Sequence, residues 1–332
     1  MNIEFHYYII YILCRNAGFS EEESYIVAYS SQYIDNNFVS YKINLGSQIY
    51  ETIPTQNYGW WNEYYPKNVY VPFHFFPGDT DYQGARRRDH KKNPLSCTPN
   101  SSRVKELLIR SLKTRNLYRV GIGLHTYADS WAHQNFSGFS EAWNEVDQGS
   151  MIPSMGHAQV LGTPDIIAGF WTDPRLEPGL DKISNEQRFL EAARKIYKYL
   201  CTYNRQDFDD HDFVIDRITR LLTGYGRSTT REERIANYII EADIIQYNKF
   251  EWINSAVYNI DTSSEAADGF AAYDKLLWLK DALLYKSELS KKPLLTPKEN
   301  FSDSHWYRWN EAAREHLKDA KDILKDLTNK GG

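Results

Sequence analysis

The sequence predicts an all-α protein, with a single multi-helix domain over residues 1–332. Capping residues recur ahead of long helix-like segments, at Ser20, Ser184 and Thr230, and each is followed three residues later by Glu or Gln. Strand-like stretches of β-branched and aromatic residues are confined to residues 38–100. No internal repeat or low-complexity linker divides the chain, so we expect one domain.

Two helices are expected to open the chain. Residues 2–17 form the first, which Gly18 closes as a C-cap. The capping residue Ser20 begins the second, which is expected to end near residue 36. Asp35 lies in its last turn, where the helix dipole is negative, so we expect a nearby cation to compensate the charge.

A long irregular excursion is expected between residues 38 and 100, because four prolines interrupt its strand-like stretches. One small β-hairpin, between residues 38 and 77, is the regular structure expected within it. Helical character returns over residues 103–115 and about 117–133.

The second half of the chain is expected to be a long loop followed by helices. Residues 134–183 contain Gly, Pro and Trp without helical periodicity, and loops of this length usually carry function. Helices are expected from Ser184, from Thr230 to about residue 257, and over residues 265–289 and 303–328.

Composition and charge exclude several classes of protein. The formal net charge of -5 lacks the excess of basic residues typical of nucleic-acid-binding proteins. The three cysteines are scattered and form no CxxC pair, which argues against disulfides and thiolate-bound zinc. The N-terminal apolar run lacks a preceding basic segment, and no stretch reaches the roughly 18 apolar residues of a membrane span. We therefore expect no signal peptide, no transmembrane segment and a cytoplasmic location as synthesised, with export by a signal-independent route left open.

The stretch "HTYADSWAHQNF" carries His125, Asp129 and His133 at intervals of four residues. On a helix these positions share one face, and the two imidazoles are about 12 Å apart along the axis. One metal ion could hardly reach both, whereas two neighbouring ions could share Asp129 as a bridging carboxylate. The flanking residues are mostly apolar, so we expect burial rather than a solvated polar face, and buried polar groups need partners such as a metal.

Five further residues are candidate ligands. Each has an imidazole or carboxylate side chain and lies either among apolar residues or at the end of an expected helix. His6 lies in the first helix, Asp35 ends the second, and His74 lies in "PFHFF", where a hydrogen-bonded core histidine is the alternative. His157 lies in "GHAQ" and Asp165 follows in "TPD", at an expected helix start.

The order of these eight residues resembles the ligand order of the zinc-dependent phospholipase C and single-strand nuclease superfamily. Those proteins are all-α, hold three divalent metals and attack phosphodiesters with a metal-activated water. The stretches "EFHYYIIYILCRNAGFSEEESYIVAYSSQYIDNN", "VYVPFHFFPG", "HTYADSWAHQNFSG" and "GHAQVLGTPD" also resemble a bacterial family of unknown function, over about the first half of the chain.

Carried over residue by residue, the first resemblance implies three groups of ligands. One metal would be held by Asp35, His74, His125 and Asp129. A second would be held by His133, His157 and Asp165, and His6 would share Asp129 at a third. These nitrogen and oxygen ligands suit zinc, at two to three ions per chain, without being exclusive to it.

The chain departs from the superfamily pattern in three respects, one of which is that the seven residues between His157 and Asp165 exceed the superfamily's spacing. Three residues, rather than five, separate Asp129 from His133. The superfamily also uses a mature N-terminal amine as a ligand, whereas bulky Asn2 leads us to expect that Met1 is retained. Either Glu4 or the Met1 amine is expected to take that position, and two metals are the minimum expectation.

The stretch "ARRRDHKKN" follows His74 and is strongly basic. Arg86, Arg87 and Arg88 are predicted to bind substrate, because guanidinium groups match phosphate oxygens, and a solvated loop is the alternative. A nearby aromatic segment could wall the same cleft; its members are Trp60, Trp61, Tyr64 and Tyr65.

Two hypotheses about function follow. The first is a metal-dependent phosphodiesterase, phospholipase C-like or nuclease-like, with Asp35 as the catalytic residue that orients or deprotonates the water. Its expected partner is a phosphate-containing small molecule, a lipid head group or a short nucleic acid. The alternative is a non-catalytic, metal-stapled helical interaction module, whose metal sites would be closed.

Overall fold

The computed structural model describes residues 1–57, 62–150, 152–224, 229–258 and 293–328. Its described part is predominantly α-helical with small sheets, which confirms the predicted fold class.

The N-terminal helix is two segments in direct succession. A π-helix, π1, spans Glu4–Ile9 and passes into α1, Ile10–Asn16. The next helix, α2, spans Glu21–Asn36 and begins with the predicted capping box, in which the Ser20 side chain accepts from the backbone N–H of Glu23.

The predicted hairpin is present in the excursion that follows. Strands β1, Lys42–Asn44, and β2, Ile49–Glu51, pair antiparallel with Ile43 opposite Tyr50. Ile43 is the fully buried residue of these two strands, and half-buried Tyr50 also packs against the core.

A second π-helix, π2, spans Pro66–His74. This helix is not evident in the sequence, because its β-branched and aromatic content resembles a strand. Val69, Tyr70 and Phe73 are all buried, so that content reflects contact with the core rather than a pleated sheet. π-Helices are rare and often lie at functional sites, and both π1 and π2 carry predicted ligands.

Helix α3 spans Ser102–Lys113 and α4 spans Leu117–Ala132, close to the predicted bounds. Gly121 of α4 lies directly against α2. A Cβ atom at this position would lie 2.3 Å from the carbonyl oxygen of Val27 and 2.5 Å from Cβ of Ser30. Glycine therefore permits a close crossing of α2 and α4, which brings the last turn of α2 beside the second half of α4.

Residues 134–183 are largely irregular, as predicted. A short antiparallel pair joins β3, Phe170–Thr172, to β4, Lys182–Ser184. Short 3-10 turns occur in this loop and elsewhere, at Gln83–Ala85, Ala142–Asn144, Ala158–Val160, Thr163–Asp165 and Phe301–Asp303.

The helix predicted from Thr230 to about residue 257 is interrupted. Asp243 adopts a left-handed conformation with φ of 48°, which ends the helix and begins a loop. The prediction over residues 265–289 lies outside the described residues. The helices of this part of the chain are α5, Asn185–Asn204; α6, His211–Leu222; α7, Arg231–Ala242; α8, Glu251–Ala256; and α9, His305–Thr328.

Distant strands complete a small sheet around the hairpin. Strand β6, Leu294–Pro297, pairs parallel with β1, and β5, Val257–Tyr258, pairs antiparallel with β6. The strand order is β2-β1-β6-β5. The sequence does not reveal this pairing, because strands of two to four residues carry little periodicity.

Helix α4 lies at the centre of the described structure, with contacts to α2, α3, α5, α9 and π2. One hydrophobic cluster extends from π1 to α9, and a smaller cluster lies beneath the end of π2 and the loop after α4. No helix in the described ranges is long and apolar enough to cross a bilayer.

Candidate metal centre

The eight predicted ligands come together in three groups, within each of which the possible ligand atoms lie within 4.8 Å of one another. They converge from five parts of the chain because α4 crosses α2 and lies against both π2 and the loop that follows it. The ligands are His6 of π1, Asp35 of α2, His74 of π2, His125 and Asp129 of α4, His133 at its C-cap, and His157 and Asp165 of the loop.

The first group consists of Asp35, His74 and His125, and Asp129 lies beside its two imidazoles. Asp35 Oδ1 lies 3.8 Å from His74 Nδ1 and 3.7 Å from His125 Nε2. His74 Nδ1 lies 3.2 Å from His125 Nε2, and Asp129 Oδ2 lies 3.3 and 3.2 Å from these two nitrogens. Zinc–ligand bonds of about 2.0–2.1 Å imply tetrahedral edges of about 3.4 Å. All five separations are close to that value, so Asp35, His74 and His125 fit a divalent ion, with Asp129 beside their imidazoles.

The second group lies at the C-terminal end of α4. His133 Nε2 lies 3.3 Å from Asp165 Oδ1, and His157 Nε2 lies 3.3 Å from Asp165 Oδ2. The ring of Phe75 stacks on His133 with 4.4 Å between centroids. Gly156, with φ of 49°, brings the loop so close to this ring that a Cβ atom would lie 2.5 Å from it. Glycine at this position therefore allows the loop to approach Phe75 closely enough to place His157 in the cluster.

Asp129 joins the groups, and the N-terminal amine lies beside it. Its Oδ1 atom is 3.1 Å from His6 Nε2 and forms an ion pair with the amine of Met1. The same amine lies 3.1 Å from Asp165 Oδ1. Of the two alternatives that the sequence leaves for this position, the Met1 amine lies in the cluster and Glu4 does not.

Glu4 is held by a buried ion pair with α7. Arg234 donates from Nε and Nη2 to its two carboxylate oxygens at 2.7 and 2.9 Å, and the Tyr238 hydroxyl donates at 3.0 Å. The carboxylate is thus fully engaged two residues before His6. It fastens π1 to α7 and thereby positions the N-terminal ligands.

Backbone carbonyls fix the tautomers of three histidines. His74 donates from Nε2 to the Thr55 carbonyl at 2.8 Å, and His133 donates from Nδ1 to the His74 carbonyl at 2.7 Å. His157 donates from Nδ1 to the Leu161 carbonyl at 2.6 Å. In each ring the other nitrogen presents its lone pair to the carboxylates, which is the arrangement typical of metal-binding histidines.

Several buried atoms of the cluster have no hydrogen-bond partner within the described part of the chain. They are Nδ1 of His6, Nδ1 of His125, Oδ2 of Asp35 and Oδ1 of Asp165, the last of which lies within ion-pair distance of the Met1 amine. Buried carboxylate oxygens without a partner are costly, and a divalent ion would satisfy them. The donor set therefore fits a metal.

Burial sets the charge of the histidines. It lowers the pKa of His6, His125 and His157 to about 4 in each case, so these rings are neutral, which is the form that binds metals. Burial also raises the pKa of Asp35. At Asp129, burial is outweighed by the N-terminal ammonium and the surrounding imidazoles, which hold the pKa of that carboxyl well below its usual range.

The ligands differ in their exposure to solvent. The side chains of His6 and His125 are 0% exposed and that of Asp129 is 1% exposed. In contrast, His157 is 14% exposed, and Asp165 and Asp35 are each 7% exposed. The most exposed of the eight ligands is therefore His157, in the loop.

The three predicted substrate-binding arginines lie near one another but have different partners. Arg86 pairs with Glu177 at 2.9 Å, Arg88 pairs with Asp181 at 3.1 Å, and Arg87 is buried. Arg86 and Arg87 line a surface cleft whose described lining includes none of the eight predicted ligands. Their role in substrate binding stays a prediction.

The aromatic segment predicted to wall the substrate cleft is described only in part. Trp60 and Trp61 lie outside the described residues. Tyr64 is exposed and Tyr65 is half-buried, with their rings perpendicular and 5.5 Å apart. Their role as a wall also stays a prediction.

A family model described as a family of unknown function matches residues 1–324. None of the curated proteins and none of the solved structures matches the chain. The match extends well beyond the first half of the chain, whereas the resemblance to the phospholipase C and nuclease superfamily stays a prediction. The chain therefore belongs to the family of unknown function DUF6765.

Proposed function

We propose that this protein is a metal-dependent phosphodiesterase that uses zinc, with two to three ions per chain. The observation that carries the proposal is the convergence of the eight ligands with the Met1 amine in one buried cluster. The group of His133, His157 and Asp165 offers three protein ligands, which is the number typical of catalytic zinc sites. This group also contains the most exposed ligand, His157.

The residues have distinct roles in this proposal. Bound divalent ions would supply Lewis-acid chemistry, lowering the pKa of a water molecule and polarising phosphoryl oxygens. Asp35 Oδ2 is buried and has no hydrogen-bond partner among the described residues. We assign to this oxygen the orientation of the attacking water and the acceptance of its proton.

The substrate would approach from the side of His157 and Asp165. A phosphodiester of a small molecule, a lipid head group or a short nucleic acid each presents the same reacting group. The formal net charge of -5 disfavours long nucleic acids, because their binding depends on many basic contacts.

Hydrolysis assays with the zinc-loaded full chain test the proposal. An aryl phosphodiester, a phospholipid and a single-stranded oligonucleotide are the three substrates. We expect hydrolysis of at least one, loss with a chelator and recovery with zinc. His157→Ala is expected to reduce turnover, whereas His211→Gln, which lies outside the cluster on α6, is the matched control. The proposal is contradicted if a chain that holds its metals hydrolyses none of the three substrates.

The second candidate is a metal-stapled helical interaction module. It is favoured by the complete burial of His6 and His125, which resembles a closed structural site. Exchange of metal-coordinated water distinguishes the two, because a closed site has no open position. Magnetic relaxation of solvent protons by manganese-loaded protein measures this exchange, and an enhanced relaxation rate supports the enzyme.

A further inference from the structure

The basic stretch after His74 forms part of a cleft separate from the metal centre. Arg86, Arg87 and Lys91 line this cleft together with Trp143 and Asn135. The function proposed above does not use these residues, and the cleft has features of its own that indicate a ligand.

Three polar atoms of its lining residues have no hydrogen-bond partner within the described ranges. They are Nε of Arg87, Nε1 of Trp143 and Oδ1 of Asn135. Arg87 is 7% exposed and Asn135 is fully buried. Arg87 Nε has only the ion pair with Asp89, at 3.4 Å. Buried polar atoms are nearly always paired, so the free indole donor of Trp143 and the free amide acceptor of Asn135 in a single cleft indicate a polar ligand.

Arg87 is held rigidly. Its guanidinium group lies 4.0 Å from the centroid of the Trp143 ring and donates from Nη1 to the Trp143 carbonyl at 2.9 Å. Arg175 donates to the same carbonyl at 3.1 Å. A guanidinium group fixed in this way loses little conformational entropy when it binds a ligand.

Buried positive charge exceeds buried negative charge beside the cleft. Arg87, Arg175 and Arg188 are each more than nine-tenths buried, and one carboxylate, that of Asp173, is buried with them. Asp173 accepts from Arg175 at 2.8 and 2.7 Å. Asp89 lies 3.4 Å from Arg87 Nε, but it is 41% exposed and so compensates the charge less strongly.

The acidic residues that line the cleft already have partners. Asp79 accepts from the backbone and hydroxyl of Ser102 at the start of α3. Asp81 pairs with Lys92, and Glu177 pairs with Arg86. The cations that an incoming anion would meet are therefore Lys91 and Arg87, the latter paired only with the exposed Asp89.

We propose that this cleft binds the phosphate group of a small molecule, independently of the metal centre. The Arg87 guanidinium and the Trp143 indole donate to phosphate oxygens, and the Lys91 ammonium adds charge attraction. The Asn135 amide oxygen accepts a hydrogen bond from a hydroxyl group of the ligand. The phosphate is either free or carried by an organic monoester.

The indole N–H resonance of Trp143 provides a local readout. The full chain is labelled with ¹⁵N in tryptophan and loaded with zinc, and Trp143→Phe assigns the signal. Inorganic phosphate or glycerol phosphate is then added at constant ionic strength. We expect a saturable shift of this resonance, and the probe that binds more tightly identifies the source of the phosphate.

Variants separate the cleft from the metal centre. Arg87→Gln is expected to weaken binding about tenfold, as for a lost charge-assisted hydrogen bond. Lys113→Gln, exposed on α3 outside the cleft, is the matched control and is expected to bind normally, as is His157→Gln. If Arg87→Gln does not fold, the substitution Lys91→Gln at an exposed position replaces it. We expect Lys91→Gln to weaken phosphate binding less than Arg87→Gln does, and to weaken it more at low salt than at high salt.

Two results would overturn the proposal. One is a resonance that shifts in the same way with chloride as with either phosphate probe. The other is binding that His157→Gln abolishes and Arg87→Gln leaves intact, because phosphate would then bind at the metals.

Discussion

The two carboxylate oxygens of Asp129 face different ligands. Oδ2 lies 3.2 Å from His125 Nε2 and 3.3 Å from His74 Nδ1. Oδ1 lies 3.1 Å from His6 Nε2 and contacts the Met1 amine. A carboxylate in this position is able to bridge two ions, and without metal it compensates the charge of a buried ammonium group.

Asp129→Ala is expected to remove more than one metal ion per chain. It also leaves the Met1 ammonium and several imidazoles buried with fewer partners, which destabilises the fold by about 3–5 kcal/mol. Asp35→Ala is the matched control, because Asp35 belongs to one group only and its loss should remove at most one ion. Elemental analysis and denaturant unfolding measure both effects, and equal metal loss in the two variants contradicts a bridging role.

Asp35→Asn tests the proposed proton acceptor. The amide keeps the shape and one ligand oxygen but does not accept the proton, so hydrolysis should fall by roughly 10²–10⁴-fold. Asp212→Asn on α6, whose carboxylate is exposed, is the control. Full activity of Asp35→Asn at unchanged metal content would show that another group accepts the proton.

Single residues of the site were predictable where the chemistry is local. The spacing of His125, Asp129 and His133 on an apolar helix indicates ligands without any knowledge of the fold. The Met1 amine was only one of two alternatives, because the choice between it and Glu4 depends on Arg234, which lies 230 residues from Glu4 along the chain. Such a long-range ion pair leaves no local signal.

At the scale of elements, π1 carries His6 and begins three residues after Met1. Its orientation depends on α7 through the buried pair of Glu4 and Arg234, with Tyr238 as a second donor. Because π-helices are less regular than α-helices, such an anchor is needed to fix the ligands.

Arg234→Gln is expected to loosen π1 and to reduce metal occupancy at the group that contains His6. The unpaired Glu4 carboxylate should also lower the free energy of unfolding by about 3–5 kcal/mol. Tyr238→Phe removes one hydrogen bond and keeps the ion pair, so it should have a smaller effect of about 1 kcal/mol. Metal titrations of the folded variants check the result, and unchanged binding of every ion by Arg234→Gln contradicts a positioning role.

Helices with clear capping residues and helical periodicity were predicted well, whereas segments of strand-like composition or with an internal break were not. The capping residue Ser20 fixes the start of α2, and the bounds of α4 agree within a residue or two. The π2 segment has strand-like composition, and only its contact with the core selects a helix. The break at Asp243 arises from a left-handed backbone conformation that aspartate adopts more easily than most residues.

At the scale of the whole molecule, α4 belongs both to the helical core and to the candidate metal centre. It packs against α2, α3, α5, α9 and π2, and its C-terminal half and C-cap together carry three of the eight ligands. Sequence order predicted which residues meet, but not which side of the cluster faces solvent. That property depends on how the loop after α4 covers the ligands, and long-range packing of this kind is not encoded in local spacing.

Metal content is the most direct measurement of the central claim. The full chain, purified without chelator and dialysed first against zinc and then against metal-free buffer, is subjected to elemental analysis. We predict at least two divalent ions per chain, together with a fall in Tm when a chelator removes them. A folded chain that holds no metal after this treatment would contradict the assignment of the eight ligands and, with it, the proposed chemistry.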